Sequence, residues 1–78
     1  MRLTFYGVRG SIPTPGAAYV RYGGNTACVH IELEDGTDII LDSGTGIRVL
    51  GERLIQKDTP INLLWSHNHW DHIQGFPF

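Results

Sequence analysis

The sequence predicts a small α/β domain (α+β in some classifications), in which one crossover helix joins strands of a mixed β-sheet. Three observations support this class. Residues 26–34 alternate in polarity as a strand does, and Asp35-Gly36 is a hairpin turn signal. Between the apolar runs at 39–41 and 61–65, apolar residues recur at the spacing of a helix. The chain has 78 residues, so residues 1–78 are assigned to a single small domain.

The N-terminal part of the chain predicts a strand, a long loop and a hairpin. Arg2–Val8 alternates loosely and suits a strand, and the glycine- and proline-rich segment after it runs as a loop to about Gly24. Loops of that length are usually functional or disordered. Asp38–Asp42 returns from the hairpin turn, and its run Ile39-Ile40-Leu41 is typical of a strand covered on both faces. The apolar face of the 26–34 strand consists of Ala27, Val29, Ile31 and Leu33.

The second part of the chain predicts a helix and a further strand. The helix covers roughly residues 46–56, with Thr45 or Ser43 as its N-cap, and residues 57–60 end it. Ile61–Ser66 follows as a strand. Strand–helix–strand order implies a parallel crossover, whose sites lie beyond the carboxyl ends of the strands. The apolar stripe of the helix consists of Ile47, Leu50, Leu54 and Ile55.

Four potential metal ligands follow this last strand within six residues: His67, His69, Asp71 and His72. Imidazole nitrogen and carboxylate oxygen are natural donors to divalent cations. In an extended chain, residues two apart point to the same side about 6.5–7 Å apart, so His67 and His69 can close on one cation. A helical turn after them would let Asp71 and His72 face a second cation. The alternative is a solvated, polar strand end, which the density of ligands disfavours.

Composition limits the classes of function. With a net charge of −2, the chain has no excess of positive charge to bind an extended nucleic-acid backbone. The single cysteine, Cys28, cannot form an internal disulfide and is expected to be inert, which fits a reducing compartment. The sequence has no apolar run long enough for a membrane span. We therefore expect a cytoplasmic protein without a membrane partner, and the oligomeric state stays open.

The ligand stretch His67-Asn68-His69-Trp70-Asp71-His72 resembles the H-x-H-x-D-H motif of the metallo-β-lactamase-fold hydrolases. The resemblance extends upstream to Asp42-Ser43-Gly44-Thr45-Gly46. The stretches Gly7–Ser11 and Tyr22–Thr26 look like the opening of the phosphodiesterase-like branch, which includes relatives of ribonuclease Z and of cyclic phosphodiesterases. The likeness spans nearly the whole chain, and the ligand motif is its most specific part.

This resemblance implies an αββα sandwich, of which residues 1–78 would be the N-terminal half. It implies a hydrolase of phosphodiester or other small-molecule substrates that uses a water activated by two divalent metals, zinc first, with manganese or iron as alternatives. His67 and His69 would hold one metal, and Asp71 and His72 the other. Asp71 would also be catalytic, orienting or deprotonating the water. Asp42 would support a ligand histidine or its loop, unless it is a simple turn or cap residue.

In the family, the remaining metal ligands come from segments after this motif. The resemblance therefore implies that the parent protein is the enzyme and that the 78-residue chain alone is inactive. His30, on a strand far upstream, is expected to be exposed or packed and not to be a ligand. Arg9 is either a solvated turn residue or a contact for a substrate phosphate.

Two other interpretations remain open. The amidohydrolase barrels also place a His-x-His at a strand end, but the Pro-Gly that usually precedes that strand is replaced here by Ile61-Asn62-Leu63-Leu64. A non-enzymatic interpretation is a metal-poor binding module or an inactive fragment. The substrate and the identity of the metal are not encoded in these residues.

Overall fold

A computed structural model describes residues 1–57 and 60–77 and shows a four-stranded mixed sheet with two α-helices. The predicted class, a mixed sheet with a crossover helix, is confirmed. The strands, in their order across the sheet, are β1 (Arg2–Gly7), β2 (Cys28–Glu32), β3 (Asp38–Leu41) and β4 (Ile61–Leu64). The helices are α1 (Ile47–Leu54) and α2 (Trp70–Ile73), and a 3-10 turn at Ala17–Tyr19 interrupts the long loop after β1.

The pairing of the strands follows the predicted hairpin and crossover. β1 pairs with β2 and β2 with β3 in antiparallel fashion, whereas β3 and β4 are parallel. Gly36 has a φ of 88°, a left-handed conformation that glycine adopts without steric cost, and its N–H donates to the carbonyl of Leu33. The Asp35-Gly36 turn signal was therefore correct. The predicted strands are each longer than the observed ones because strand ends lose their pairing partners.

Helix α1 corrects two predictions of detail. Its N-cap is Gly46, and no side chain caps it, because the hydroxyl of Thr45 instead accepts a hydrogen bond from the N–H of Thr26 at 2.9 Å. Ile55 was predicted to belong to the apolar stripe, but the helix ends at Leu54 and Ile55 is 83% exposed. Of the segment predicted to end the helix, Asp58 and Thr59 lie outside the described residues.

The core lies between α1 and one face of the sheet. Leu50 and Leu54 of the helix are buried against Cys28 and Ile40. β2 thus turns its cysteine and histidine towards the helix, while the predicted apolar face lies on the other side of the sheet. That second face is not covered by any described element, so Ile39-Ile40-Leu41 is covered on one face only. The apolar residues of this open face are Leu3, Phe5, Val29, Ile31, Ile39, Leu41 and Leu64.

A buried charged cluster stands beside this core. The carboxylate of Asp38 is fully buried; Oδ1 lies 2.7 Å from Nε2 of His30, and Oδ2 lies 2.7 Å from Nζ of Lys57. The ion pair with Lys57 is the main cause that lowers the pKa of Asp38, and the hydrogen bond from His30 adds to this against the opposing effect of burial. His30 is therefore a packed residue. No helix in residues 1–57 and 60–77 is long and apolar enough to cross a membrane.

Candidate metal centre

The ligand cluster lies beyond the carboxyl ends of the parallel strands β3 and β4. Asp42 directly follows β3, and the segment 66–69 leaves β4. His69 keeps an extended backbone, with φ −62° and ψ 147°, and α2 begins at the next residue. The chain therefore changes from extended to helical within the motif, as the spacing of its ligands requires.

The three imidazole rings of the motif form one cluster. The ring centres of His67 and His69 lie 4.4 Å apart, as expected for residues two apart in an extended segment. The ring centre of His72 lies 4.2 Å from that of His67. Asp71 adjoins this cluster, because its Oδ2 lies 3.4 Å from Nε2 of His72. All four predicted ligands are thus brought together, with His67 between the other two histidines.

Asp42 anchors the cluster to the end of β3. Its Oδ2 lies 3.0 Å from Nδ1 of His72 and accepts a hydrogen bond from the hydroxyl of Ser66 at 2.8 Å. Its Oδ1 accepts the N–H of Ser66, also at 2.8 Å. Burial opposes the charged carboxylate, but these hydrogen bonds outweigh it and lower the pKa of Asp42. A carboxylate on one imidazole nitrogen orients the ring and leaves the other nitrogen for a cation.

Asp71 is held from the opposite end of the chain. The N–H of Ser11, sixty residues earlier, donates to Oδ2 of Asp71 at 3.1 Å. This hydrogen bond is the main reason why the pKa of Asp71 is lowered. Ser11 has a φ of 69°, an uncommon conformation for a residue with a side chain. The loop after β1 therefore reaches the candidate site.

Helix α2, which carries two of the ligands, is docked through backbone contacts at glycines. The N–H of Ser43 donates to the carbonyl of His72 at 2.7 Å, and the N–H of Gly75 donates to the carbonyl of Ser43 at 2.9 Å. A Cβ at Gly75 would overlap the carbonyl of Gly44, and a Cβ at Gly44 would overlap the carbonyl of Asp71. The two glycines therefore allow the backbones to approach each other closely.

A reciprocal pair of threonines fixes the same loop. The N–H of Thr45 donates to Oγ1 of Thr26 at 2.8 Å, while the N–H of Thr26 donates to Oγ1 of Thr45 at 2.9 Å. Gln74, just after α2, also donates to Oγ1 of Thr26, at 3.2 Å. Thr26 is fully buried, so these bonds satisfy groups that would otherwise be costly to bury.

The donor types and their proximity fit a divalent cation. Three imidazoles and a carboxylate are contiguous. Asp42 contacts Nδ1 of His72, which leaves Nε2 of that ring for a cation. In the described part of the chain, however, no three His, Cys, Asp or Glu side chains are already arranged so that they could hold a metal ion. His67 and His69 are exposed, so their rings can rotate towards a cation at little steric cost.

Two supporting residues were not predicted from the sequence. Ser66 binds both oxygens of Asp42 and places its Oγ 2.9 Å from Nδ1 of His67. Its position directly before the motif was a signal that could have been used. Ser11 carries no such signal, because its contact with Asp71 spans sixty residues. Cys28 is buried, which raises the pKa of its thiol to about 12 and fits the expectation that it is inert.

Comparisons with protein-family models, with characterised proteins and with solved structures found no match for this chain. The resemblance to the metallo-β-lactamase fold therefore rests on the motif residues themselves.

Proposed function

We propose that this protein is a metal-dependent hydrolase of the metallo-β-lactamase class that acts on phosphodiester-type substrates. The observation that carries this proposal is the single cluster formed by three imidazoles at the carboxyl ends of two parallel strands, with Asp42 on Nδ1 of His72. The cluster has the donors for two divalent metals, zinc first, with manganese or iron as alternatives. We expect the protein to act in the cytoplasm.

The residues of the cluster have different proposed roles: cation binding, proton transfer and orientation of an imidazole ring. His67 and His69 would hold one cation, and Asp71 and His72 the other; when bound, the cations lower the pKa of water and stabilise negative charge on the substrate oxygen. Oδ1 of Asp71, the oxygen that Ser11 does not bind, is the atom we expect to accept a proton. Asp42 keeps the ring of His72 oriented.

The architecture of the sheet supports this class over the amidohydrolase barrels. β4, which delivers the ligands, belongs to the same sheet as the antiparallel hairpin, whereas the strands of a (β/α)8 barrel are all parallel. The sheet has a helix on one face and an apolar, uncovered second face. One sheet of an αββα sandwich has this arrangement, because its inner face packs against a second sheet.

Metal binding by the full 78-residue chain tests the proposal. We expect dialysis against zinc followed by elemental analysis to show at least one equivalent of zinc per chain. A His67→Ala/His69→Ala double variant should lose this zinc. Asn68→Ala, an exposed neighbour between the two ligands, is the matched control and should retain it. Elemental analysis of the full-length protein that shows no stoichiometric zinc, manganese or iron would falsify the proposal.

A second candidate is the metal-poor binding module. It is favoured by the finding that no three ligand-type side chains of the described residues are arranged to hold a cation as they stand. The two candidates differ in turnover of bis(p-nitrophenyl) phosphate with added zinc or manganese. We expect turnover from a hydrolase and none from a binding module. Turnover by the isolated chain would rule out the binding module.

A further inference from the structure

The hydroxyl of Ser66 lies between a carboxylate and an imidazole. Its Oγ is 2.8 Å from Oδ2 of Asp42 and 2.9 Å from Nδ1 of His67. A serine hydroxyl has one proton to donate and lone pairs with which to accept. Both contacts can therefore be hydrogen bonds only if the hydroxyl donates to one neighbour and accepts from the other.

The carboxylate decides which neighbour receives the proton of the hydroxyl. An ionised carboxylate can only accept, so the hydroxyl donates to Asp42. Burial opposes the charged form of Asp42, but the hydrogen bonds that it accepts outweigh this and lower its pKa, which supports the ionised form. If the hydroxyl instead donated to His67, two oxygen atoms with lone pairs would face each other at 2.8 Å without a proton between them. Only the lone pairs of the hydroxyl are thus left for His67.

The same count fixes the position of the proton on His67. Because Ser66 can only accept from the ring, Nδ1 of His67 carries the proton, and in the neutral ring Nε2 then keeps its lone pair. Nδ1 of His72 lies 3.0 Å from Oδ2 of Asp42 and carries a proton for the same reason. A cation binds the imidazole nitrogen that holds a lone pair. One carboxylate therefore places the proton on both rings, on His72 directly and on His67 through a hydroxyl.

His30 follows the same rule with the opposite result. Its Nε2 lies 2.7 Å from Oδ1 of Asp38, a fully buried carboxylate. The proton that faces this carboxylate is therefore on Nε2. The chain thus contains an internal reference outside the ligand cluster, because the ring of His30 is protonated on the nitrogen that His67 leaves bare.

We propose that Ser66 is a positioning residue of the metal centre: its hydroxyl connects Asp42 to His67, keeps the ring proton on Nδ1 and so presents Nε2 to a cation. The position of the proton follows from contacts within the chain itself, while its use in metal binding rests on the hydrolase function proposed above. Partners that orient a ligand histidine in this way typically change metal affinity about 10- to 100-fold.

Nuclear magnetic resonance of the ring nitrogens in the metal-free full chain tests this inference independently of turnover. We would label the histidines with ¹⁵N and record long-range ¹H–¹⁵N spectra at about pH 8, above the ordinary pKa of histidine. In such spectra a protonated ring nitrogen and one with a free lone pair resonate far apart. We expect Nδ1 of His67 to be protonated and its Nε2 to be bare, whereas Nε2 of His30 should be protonated.

Variants separate the hydroxyl from the rest of the site. Ser66→Ala should let the His67 proton exchange between both nitrogens, leave Nδ1 of His72 protonated and weaken zinc binding about 10- to 100-fold. Ser66→Thr retains a hydroxyl and should restore both the His67 spectrum and the zinc affinity. Asn68→Ala, an exposed neighbour on the other side of His67, is the matched control and should change neither. An unchanged His30 spectrum shows that a variant is folded.

Three results would overturn the inference: a proton on Nε2 of His67 in the unmodified chain, an unchanged His67 spectrum in Ser66→Ala, or full zinc affinity in Ser66→Ala. Zinc binding measured on the same samples separates the two proposals. Full zinc affinity in Ser66→Ala would refute the role of the hydroxyl and leave the hydrolase assignment in place. A proton on Nδ1 of His67 that Ser66→Ala releases, in a chain that binds no zinc, would support the role of Ser66 and refute the metal centre.

Discussion

Nδ1 of His72 lies 3.0 Å from Oδ2 of Asp42, thirty residues earlier in the chain. This contact joins the helical half of the ligand cluster to the end of β3. The same carboxylate binds the N–H and hydroxyl of Ser66, just before the extended half of the cluster. One aspartate therefore positions both halves of the candidate metal centre.

Asp42→Asn should lower zinc affinity about 10- to 100-fold, because a carboxylate behind a ligand histidine orients the ring and raises its basicity. Asparagine suits this position, since Asp42 has a φ of 66° and asparagine tolerates that conformation. Zinc affinity would be measured by competition with a chromogenic chelator. Glu34→Gln, an exposed carboxylate far from the cluster, is the control. Equal zinc affinity of Asp42→Asn and the unmodified chain would show that the contact is only structural.

Gly75→Ala should dislodge α2 and weaken both folding and zinc binding, because its Cβ would overlap the carbonyl of Gly44. Gly51→Ala is the matched control. Gly51 lies within α1, and a Cβ there would meet no atom within 4 Å. That change should stabilise the fold by about 0.5–1 kcal/mol. Urea unfolding followed by circular dichroism measures both effects, and a Gly75→Ala variant as stable as Gly51→Ala would contradict the docking role.

Leu50→Ala should destabilise the protein by about 2–5 kcal/mol, because Leu50 is 1% exposed and its loss leaves a cavity under α1. Ile55→Ala, in the same region but on an exposed side chain, should change the free energy of unfolding by less than about 0.5 kcal/mol. Thermal and urea unfolding of the two variants decide this. Similar losses in both would mean that Ile55 packs after all, as its helical spacing predicts.

Asp38→Asn should lower stability at neutral pH, and the difference from the unmodified chain should shrink below about pH 4. The pKa of folded Asp38 is lowered, mainly by the ion pair with Lys57. Its charged form therefore stabilises the fold above the unfolded pKa, and this contribution is lost as the pH falls through the folded pKa. Urea midpoints measured from pH 7 to pH 2.5 test the sign. A difference that grows on acidification would mean that Asp38 is buried in its neutral form.

Local signals in the sequence were enough for the elements and for the ligand cluster. The hairpin could be predicted from Asp35-Gly36 because the conformation of a tight turn depends only on the few residues within it, here on the positive φ of Gly36. His67 and His69 meet because an extended backbone places residues two apart on one side. The N-cap of α1 was wrong for the opposite reason: Thr45 has a partner, Thr26, nineteen residues away, and this bond replaced local capping.

The sequence by itself determined the class of the fold, the order of its elements and the four donors of the candidate metal centre, since all of these depend on neighbours along the chain. Only the tertiary structure decided which face of β2 meets α1 and which residues hold the donors in place. Alternation marks two faces of a strand but does not say which one the helix covers. The contacts of Asp42 with His72 and of Ser11 with Asp71 span thirty and sixty residues, distances at which no periodic pattern relates the partners.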